Sequence, residues 1–248
     1  MNIIDDLVSA CGPNAPVDHL LMGCFFSAVC SRGCGLSSVL RPRRGLHEVD
    51  PMPSAGDILP AGALDLASFA RSERLLEASI GLASINSLLT PPLDRGIKVN
   101  AADVLVQRAS GRNVAVIGGF PFAKRVRSVA QRVDVFELDP IPEADERHTS
   151  EAFEYLPDAD VVVISGTTLI NHTFEGLMKL VAPGAFVMMV GPSTPLTPVL
   201  FDWGVHALAG AVVVDREALF RTIAQGAVFR QVRGVEKWTL SVDASQDL

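Results

Sequence analysis

Short apolar runs recur along residues 111–248, each followed by a stretch with helical spacing. The runs cover 114–117, 133–137, 161–164, 185–190 and 211–214. Strands that lack polar alternation are buried on both faces. Alternated with helices, they build a doubly wound parallel sheet. The stretches between them predict helices over 121–132, 149–155, 171–181 and 216–225. Asp215 is expected to cap the last of these, with Gly226 just past its end. The pattern predicts an open α/β domain of the nucleotide-binding type over 111–248.

Residues 1–110 read differently. A short helix is expected over 3–10, then two strands over 17–30 and 35–40 joined by a turn at Arg32 and Gly33. A Pro- and Gly-rich loop follows over 41–57, and helices over 64–70, 73–89 and 101–109. Pro91 and Pro92 end the second of these helices. Strands followed by a run of helices suggest a small α+β domain. The division is placed near Gly111.

Bulk properties exclude several classes. Hydrophobic residues make up 48% of the 248 and charged residues 20%, so the chain is globular. A net charge of -7 argues against nucleic acid as a partner. The richest apolar stretch, 177–190, is interrupted by Lys179, Pro183 and Gly184, so no membrane span is expected. Asp5 and Asp6 stand where a signal peptide carries positive charge. A cytoplasmic location is the expectation, with homo-oligomerisation left open.

In doubly wound sheets, ligands lie outside the carboxyl ends of the strands. Four loops therefore matter. The first reads Gly118-Gly119-Phe120-Pro121-Phe122-Ala123. The tight turn of a dinucleotide site is present, but Phe120 stands where the second glycine admits pyrophosphate. Pro121 suits the first turn of a helix whose N–H groups could hold an anion, near Lys124, Arg125 and Arg127. In the second loop, Glu137 ends its strand about 20 residues after the first glycine, the place of a ribose-binding acid, and Asp139-Pro140 follows. The third loop, Ser165-Gly166-Thr167-Thr168 and on to Asn171-His172-Thr173, holds more hydroxyl and amide groups than capping requires. The fourth, Gly191-Pro192-Ser193-Thr194-Pro195, is stiffened by two prolines. No Ser-His-Asp pattern accompanies Ser193, which reads as a hydrogen-bonding group.

The four cysteines form no Cys-x-x-Cys pair and are expected to be free thiols. Cys24, Cys30 and Cys34 would share one face of a continuous strand as buried structural thiols. No histidine pair has a zinc spacing. Glu137 and His172 are the weak candidates for a metal. His47, Glu48 and Asp50 read as a solvated cluster. Arg41, Arg43 and Arg44 form a basic loop that is either solvated or faces an anion or the other domain.

The four loops together resemble the bacterial and archaeal domain family labelled "Putative heavy-metal chelation". The resemblance rests on Val116 through Phe122, Phe136 through Pro140, Ile164 through Thr173, Val190 through Leu196, and the run Phe201 to Gly210 with its Gly204-Val205 and Ala209-Gly210. It is weaker before residue 113, where Gly23 to Val29 and Gly81 to Leu88, with Asn86, are similar to the family's first domain. It implies an enolase-N-terminal-like α+β domain, here 1–110, followed by a Rossmann-like doubly wound parallel sheet domain, here 111–248, with a site between them.

On this reading Gly118, Gly119, Pro121, Gly191 and Pro192 shape the crevice. Glu137 takes a hydroxyl or cation, and Thr168, Asn171, Thr173 and Ser193 orient a polar ligand. Asn86 reaches in from the first domain. The expected ligand is a small molecule, a divalent or heavy metal, or a metal complex. The alternative is an enzyme with a nucleotide or S-adenosylmethionine-like cofactor. An accessory subunit with a vestigial crevice is a third reading.

Overall fold

The computed structural model describes residues 2–41, 52–53, 55–58, 62–141 and 145–242. Arg43, Arg44, His47, Glu48 and Asp50 lie outside the described residues.

The chain starts with helix α1 (Ile3–Ala10), capped by the Asn2 side chain, which accepts from the N–H of Ile4. Ile3, Ile4 and Leu7 form its buried face. Strands β1 (His19–Met22), β2 (Phe26–Cys30) and β3 (Cys34–Ser38) then form an antiparallel sheet in that order. The single strand expected over 17–30 is therefore two. The chain turns at Gly23, whose N–H bonds to the carbonyl of Phe26 at 2.8 Å. A Cβ on Gly23 would lie 2.6 Å from Ile223 Cγ2, so this turn is where the helix carrying Ile223 packs.

Helices α2 (Ala63–Ser68) and α3 (Leu75–Leu88) cover the small sheet. α3 approaches β3 and the turn after α2 through backbone. A Cβ on Gly35 would come 2.1 Å from the carbonyl oxygen of Ala83, and one on Gly81 2.0 Å from the nitrogen of Ala70. α3 also buries Ser79, Ser84 and Ser87, whose hydroxyls donate to the carbonyls of Leu75, Ala63 and Ser84. Burying them is tolerable because each is paired.

The remaining chain builds one sheet of eight strands. Its elements are β4 (Gly96–Ile97), α4 (Ala101–Ala109), β5 (Asn113–Ile117), α5 (Ala123–Arg127), β6 (Arg132–Glu137), β7 (Glu146–His148), α6 (Ala152–Tyr155), β8 (Val161–Ser165), α7 (Phe174–Met178), β9 (Phe186–Val190), α8 (Val199–Asp202), β10 (Ala207–Val213), α9 (Arg216–Ala224) and β11 (Val235–Ser241). The order is β4-β11-β10-β9-β8-β5-β6-β7. β10 through β7 are parallel; β11 is antiparallel to β10 and β4 antiparallel to β11, so β4 points the same way as the parallel set. Numbered along the chain, the parallel strands lie in the doubly wound order 3-2-1-4-5-6. β4 and α4 precede Gly111 yet join this sheet and its covering layer.

Period-two alternation decides where each side chain goes. Val161 and Val163 of β8 face one core with Val104, Leu105 and Val126. Val162 and Ile164 face the other, which contains Leu7, Leu82, Ile85, Phe174 and Leu200. The second core contains residues of α1 and α3, so the first part of the chain covers one face of the large sheet. A third cluster joins Phe26 and Leu36 to Leu219 and Ile223 of α9.

Several expected elements change length. The helices expected over 121–132 and 171–181 shrink to α5 and α7, while β10 starts earlier than its apolar run suggested. Asp215 caps α9 through the N–H of Ala218 at 3.0 Å, and Gly226 follows it at φ +76°. No helix among the described residues is long and apolar enough to cross a membrane.

The cysteines also differ from expectation. Cys30 and Cys34 are register partners across the β2–β3 hairpin and are joined in a disulfide. Reversal of the chain between them, rather than one continuous strand, puts the sulfurs together. Cys11 is buried and Cys24 exposed, both as free thiols.

Candidate functional site

The strand order reverses between β5 and β8, and their loops touch there. Gly118 has φ +114°, a conformation that suits glycine. A Cβ on it would lie 3.0 Å from Ser165 Cβ. The N–H of Gly119 donates to the Glu137 carboxylate, which also accepts from the N–H of Leu138 at 3.3 Å. The loop donor and the acid at the end of β6 are thus bonded to one another. Phe120 stacks on Phe122 at 4.8 Å between centroids, and Pro121 stands between them at the turn into α5. Of the nearby cations, Arg125 pairs with Asp103 at 2.7 Å and Arg127 with Asp145 among the described residues.

The third loop is largely self-bonded. Ser165 and Thr167 share a hydroxyl contact of 2.8 Å, and Thr168 Oγ1 donates to the carbonyl of Ser165. Asn171 Oδ1 accepts from both the N–H and the hydroxyl of Thr173. His172 follows with φ +57°, and its Nε2 lies 3.0 Å from the carbonyl oxygen of Ser72 in the first part.

The fourth loop meets the first part directly. Gly191 has φ +123° and donates to the carbonyl of Ala209, and Pro192 follows it. Ser193 is buried, and its Oγ accepts from the N–H of Ser38 in β3 at 2.8 Å. Asn86 of α3 donates to the carbonyl of Leu36 at 2.9 Å and to that of Ser193 at 3.4 Å. Asn86 and Ser193 are therefore brought together as a clasp between the two parts. Beside them Thr194 Oγ1 is buried without a hydrogen-bond partner among the described residues. A Cβ on Gly166 would come 2.7 Å from Thr194 N.

A cavity of about 260 Å³ opens where the third loop meets α1 and the turn before α3. Asp5, Arg71 and Glu73 line it from the first part, and Thr168, His172 and Glu175 from the second. Arg71 pairs with Asp5 at 2.7 Å, and Glu175 Oε1 accepts from the N–H of Ile3 at 2.9 Å. Thr168 and His172 were the expected residues here. The four charged ones were not, because each sits near a helix end, where a charge is ordinarily solvated. The Arg71-Ser72-Glu73 run between two helices was the available signal.

Residues 100–240 match the model of DUF364, a family described as "Putative heavy-metal chelation". The chain belongs to this family. Residues 4–89 match DUF4213, which carries the same description. An uncharacterized protein of Methanocaldococcus jannaschii is 25% identical over 183 residues, covering 71% of this chain and 70% of the relative. A DUF364 protein of unknown function from Desulfitobacterium hafniense DCB-2 has a solved structure with 26% identity and a TM-score of 0.82. The match covers 96% of this chain and 97% of that one. A DUF364 structure from Pyrococcus horikoshii gives a TM-score of 0.80 at 18% identity over 97% and 98% of the two chains, a likeness of fold.

The donor set can be weighed against the DUF364 description. Among the described residues, no group of three or more His, Cys, Asp and Glu side chains is arranged to hold a metal ion. Glu137 and His172, the two metal candidates, are each engaged with backbone partners. The junction does not fit a bare ion that needs several protein ligands. It offers charge and hydrogen bonds instead.

Proposed function

We propose that this DUF364 chain binds a metal complex, a small polar ligand that carries its own donor atoms, in the crevice between its cap-like first part and its parallel-sheet second part. One observation carries the reading. The junction cavity is lined by three carboxylates, Asp5, Glu73 and Glu175, against one guanidinium and one imidazole. That balance favours a cationic guest. Its volume suits a small coordinated ion held through hydrogen bonds to its outer ligands. No second reading is carried, since Phe120 blocks a pyrophosphate seat and Glu137 is bonded to the loop that would cradle it.

Hexaamminecobalt(III) tests this, because its ammines do not exchange and it can bind only through outer contacts. It should raise the melting temperature of the wild-type chain. Glu73→Gln should weaken that shift, since Glu73 lines the cavity on an exposed turn. A melting temperature that ignores the complex would end the proposal.

A further inference from the structure

A second cavity, of about 360 Å³, opens at the end of the β2–β3 hairpin. Both sulfur-bearing residues, Cys30 and Cys34, line it, together with Asp18, Arg32, Val214 and Arg216. The hairpin therefore borders, through buried Cys30 and half-buried Cys34, an open space between the first part and the β10–α9 turn. The other two cysteines behave differently. Cys24 is exposed and single. Cys11 is buried, and desolvation pushes its thiol up to about 11 although Arg32 pulls the other way.

The loop between the paired cysteines is held independently of their bond. Ser31 N–H donates to the carbonyl of Gly33, and Gly33 N–H to that of Ser87 at 2.8 Å. Arg32 reaches the carbonyls of Cys11, Leu88 and Pro13. The ladder beyond pairs Val29 with Gly35 and Ala28 with Leu36. With the disulfide reduced, these contacts still keep the two sulfurs side by side.

We propose that reduced Cys30 and Cys34 form a two-sulfur site for a thiophilic heavy-metal ion, and that the disulfide is its closed form. A thiol reductant supplies two electrons and two protons to split the S–S bond, and is itself oxidised to a disulfide. Each thiol then releases its proton to solvent as its sulfur bonds the metal. Soft ions accept two thiolates with solvent completing the shell, so the lack of a three-residue cluster among the described residues is no obstacle. The inference stands on the hairpin alone and does not rest on the junction cavity.

Cadmium ion is the probe, read by the ultraviolet thiolate-to-metal charge-transfer band. Reduced wild type, freed of reductant, should bind one equivalent. Oxidised wild type should not, and it withdraws both sulfurs without any substitution. Cys34→Ser should lose at least about 10-fold in affinity, because the second sulfur acts at high effective concentration. Cys24→Ser should bind as wild type does. Glu73→Gln and added hexaamminecobalt(III) should leave cadmium binding unchanged, which separates this site from the junction. The proposal is overturned if the oxidised protein binds cadmium as tightly as the reduced one, if the reduced protein shows no band, or if Cys24→Ser abolishes it.

Discussion

The two parts of the molecule pack their sheets by opposite means. In the large sheet, β8 sends Val161 and Val163 to one face and Val162 and Ile164 to the other. Side-chain volume does the packing there. In the small sheet, α3 lies against β3 and the turn after α2 through glycines, and its buried hydroxyls bond to nearby carbonyls. Backbone contact does the packing there. The first kind tolerates small changes of volume and the second does not. The difference also bears on the candidate sites, since Asn86 and the paired cysteines sit on the rigidly packed part.

The comparison breaks most sharply at Gly81. Alanine in a helix interior is favoured over glycine by about 1 kcal/mol. Here its Cβ would meet Ala70 N at 2.0 Å. Backbone cannot yield as a side chain can, and overpacking of this kind costs up to about 3 kcal/mol. Gly81→Ala should therefore lower stability by about 2 kcal/mol net, measured by urea unfolding. A stabilised variant would show that α3 does not pack through backbone.

Ile164→Val asks the complementary question of the large sheet. It removes one methylene from a fully buried side chain. The expected loss is about 1 kcal/mol in the same unfolding experiment, since neighbouring side chains close part of the gap. A loss as large as that of Gly81→Ala would erase the contrast.

The smallest effect concerns pH. His206 lies half-buried at the start of β10, where its Nδ1 accepts from the N–H of Val187 at 3.1 Å. Burial lowers its pKa, and the Arg108 charge adds to this. Its folded value therefore lies below the unfolded one, which is about 6.5. As pH falls through about 6.5, the unfolded chain takes up a proton that the folded chain refuses, so stability declines. The decline should level off below the folded value. His206→Asn should flatten the melting-temperature profile over this range; an unchanged slope would assign it to another group.

Much of the large sheet was legible because its strands are continuous apolar runs of the length a doubly covered sheet demands. The caps Asp215 and Gly226 were legible for the same local reason. β11 was not: its Val235-Glu236-Lys237-Trp238 start mixes polar and apolar residues, and only pairing with β10 makes it a strand. β4 and β7, two and three residues long, carry no period at all. At the site, Asn86 and Ser193 were picked out as polar residues on facing elements. Their bonding to each other's parts depends on how those parts dock. The charged lining of the junction cavity was hidden because each charge looks solvated when its own helix is read alone.

By itself, the sequence determined the alternating strand-and-helix order, the glycine turn at the end of β5, the acid at the end of β6 and the family to which these segments belong. These are local matters of spacing and residue type. Tertiary structure alone decided that Cys30 and Cys34 meet, that α3 packs through glycine, and that three carboxylates from separate elements share one cavity. The physical reason is the same in each case. A contact between residues distant in sequence, or across a chain reversal, is fixed by packing and register. Neither leaves a periodic mark in the chain.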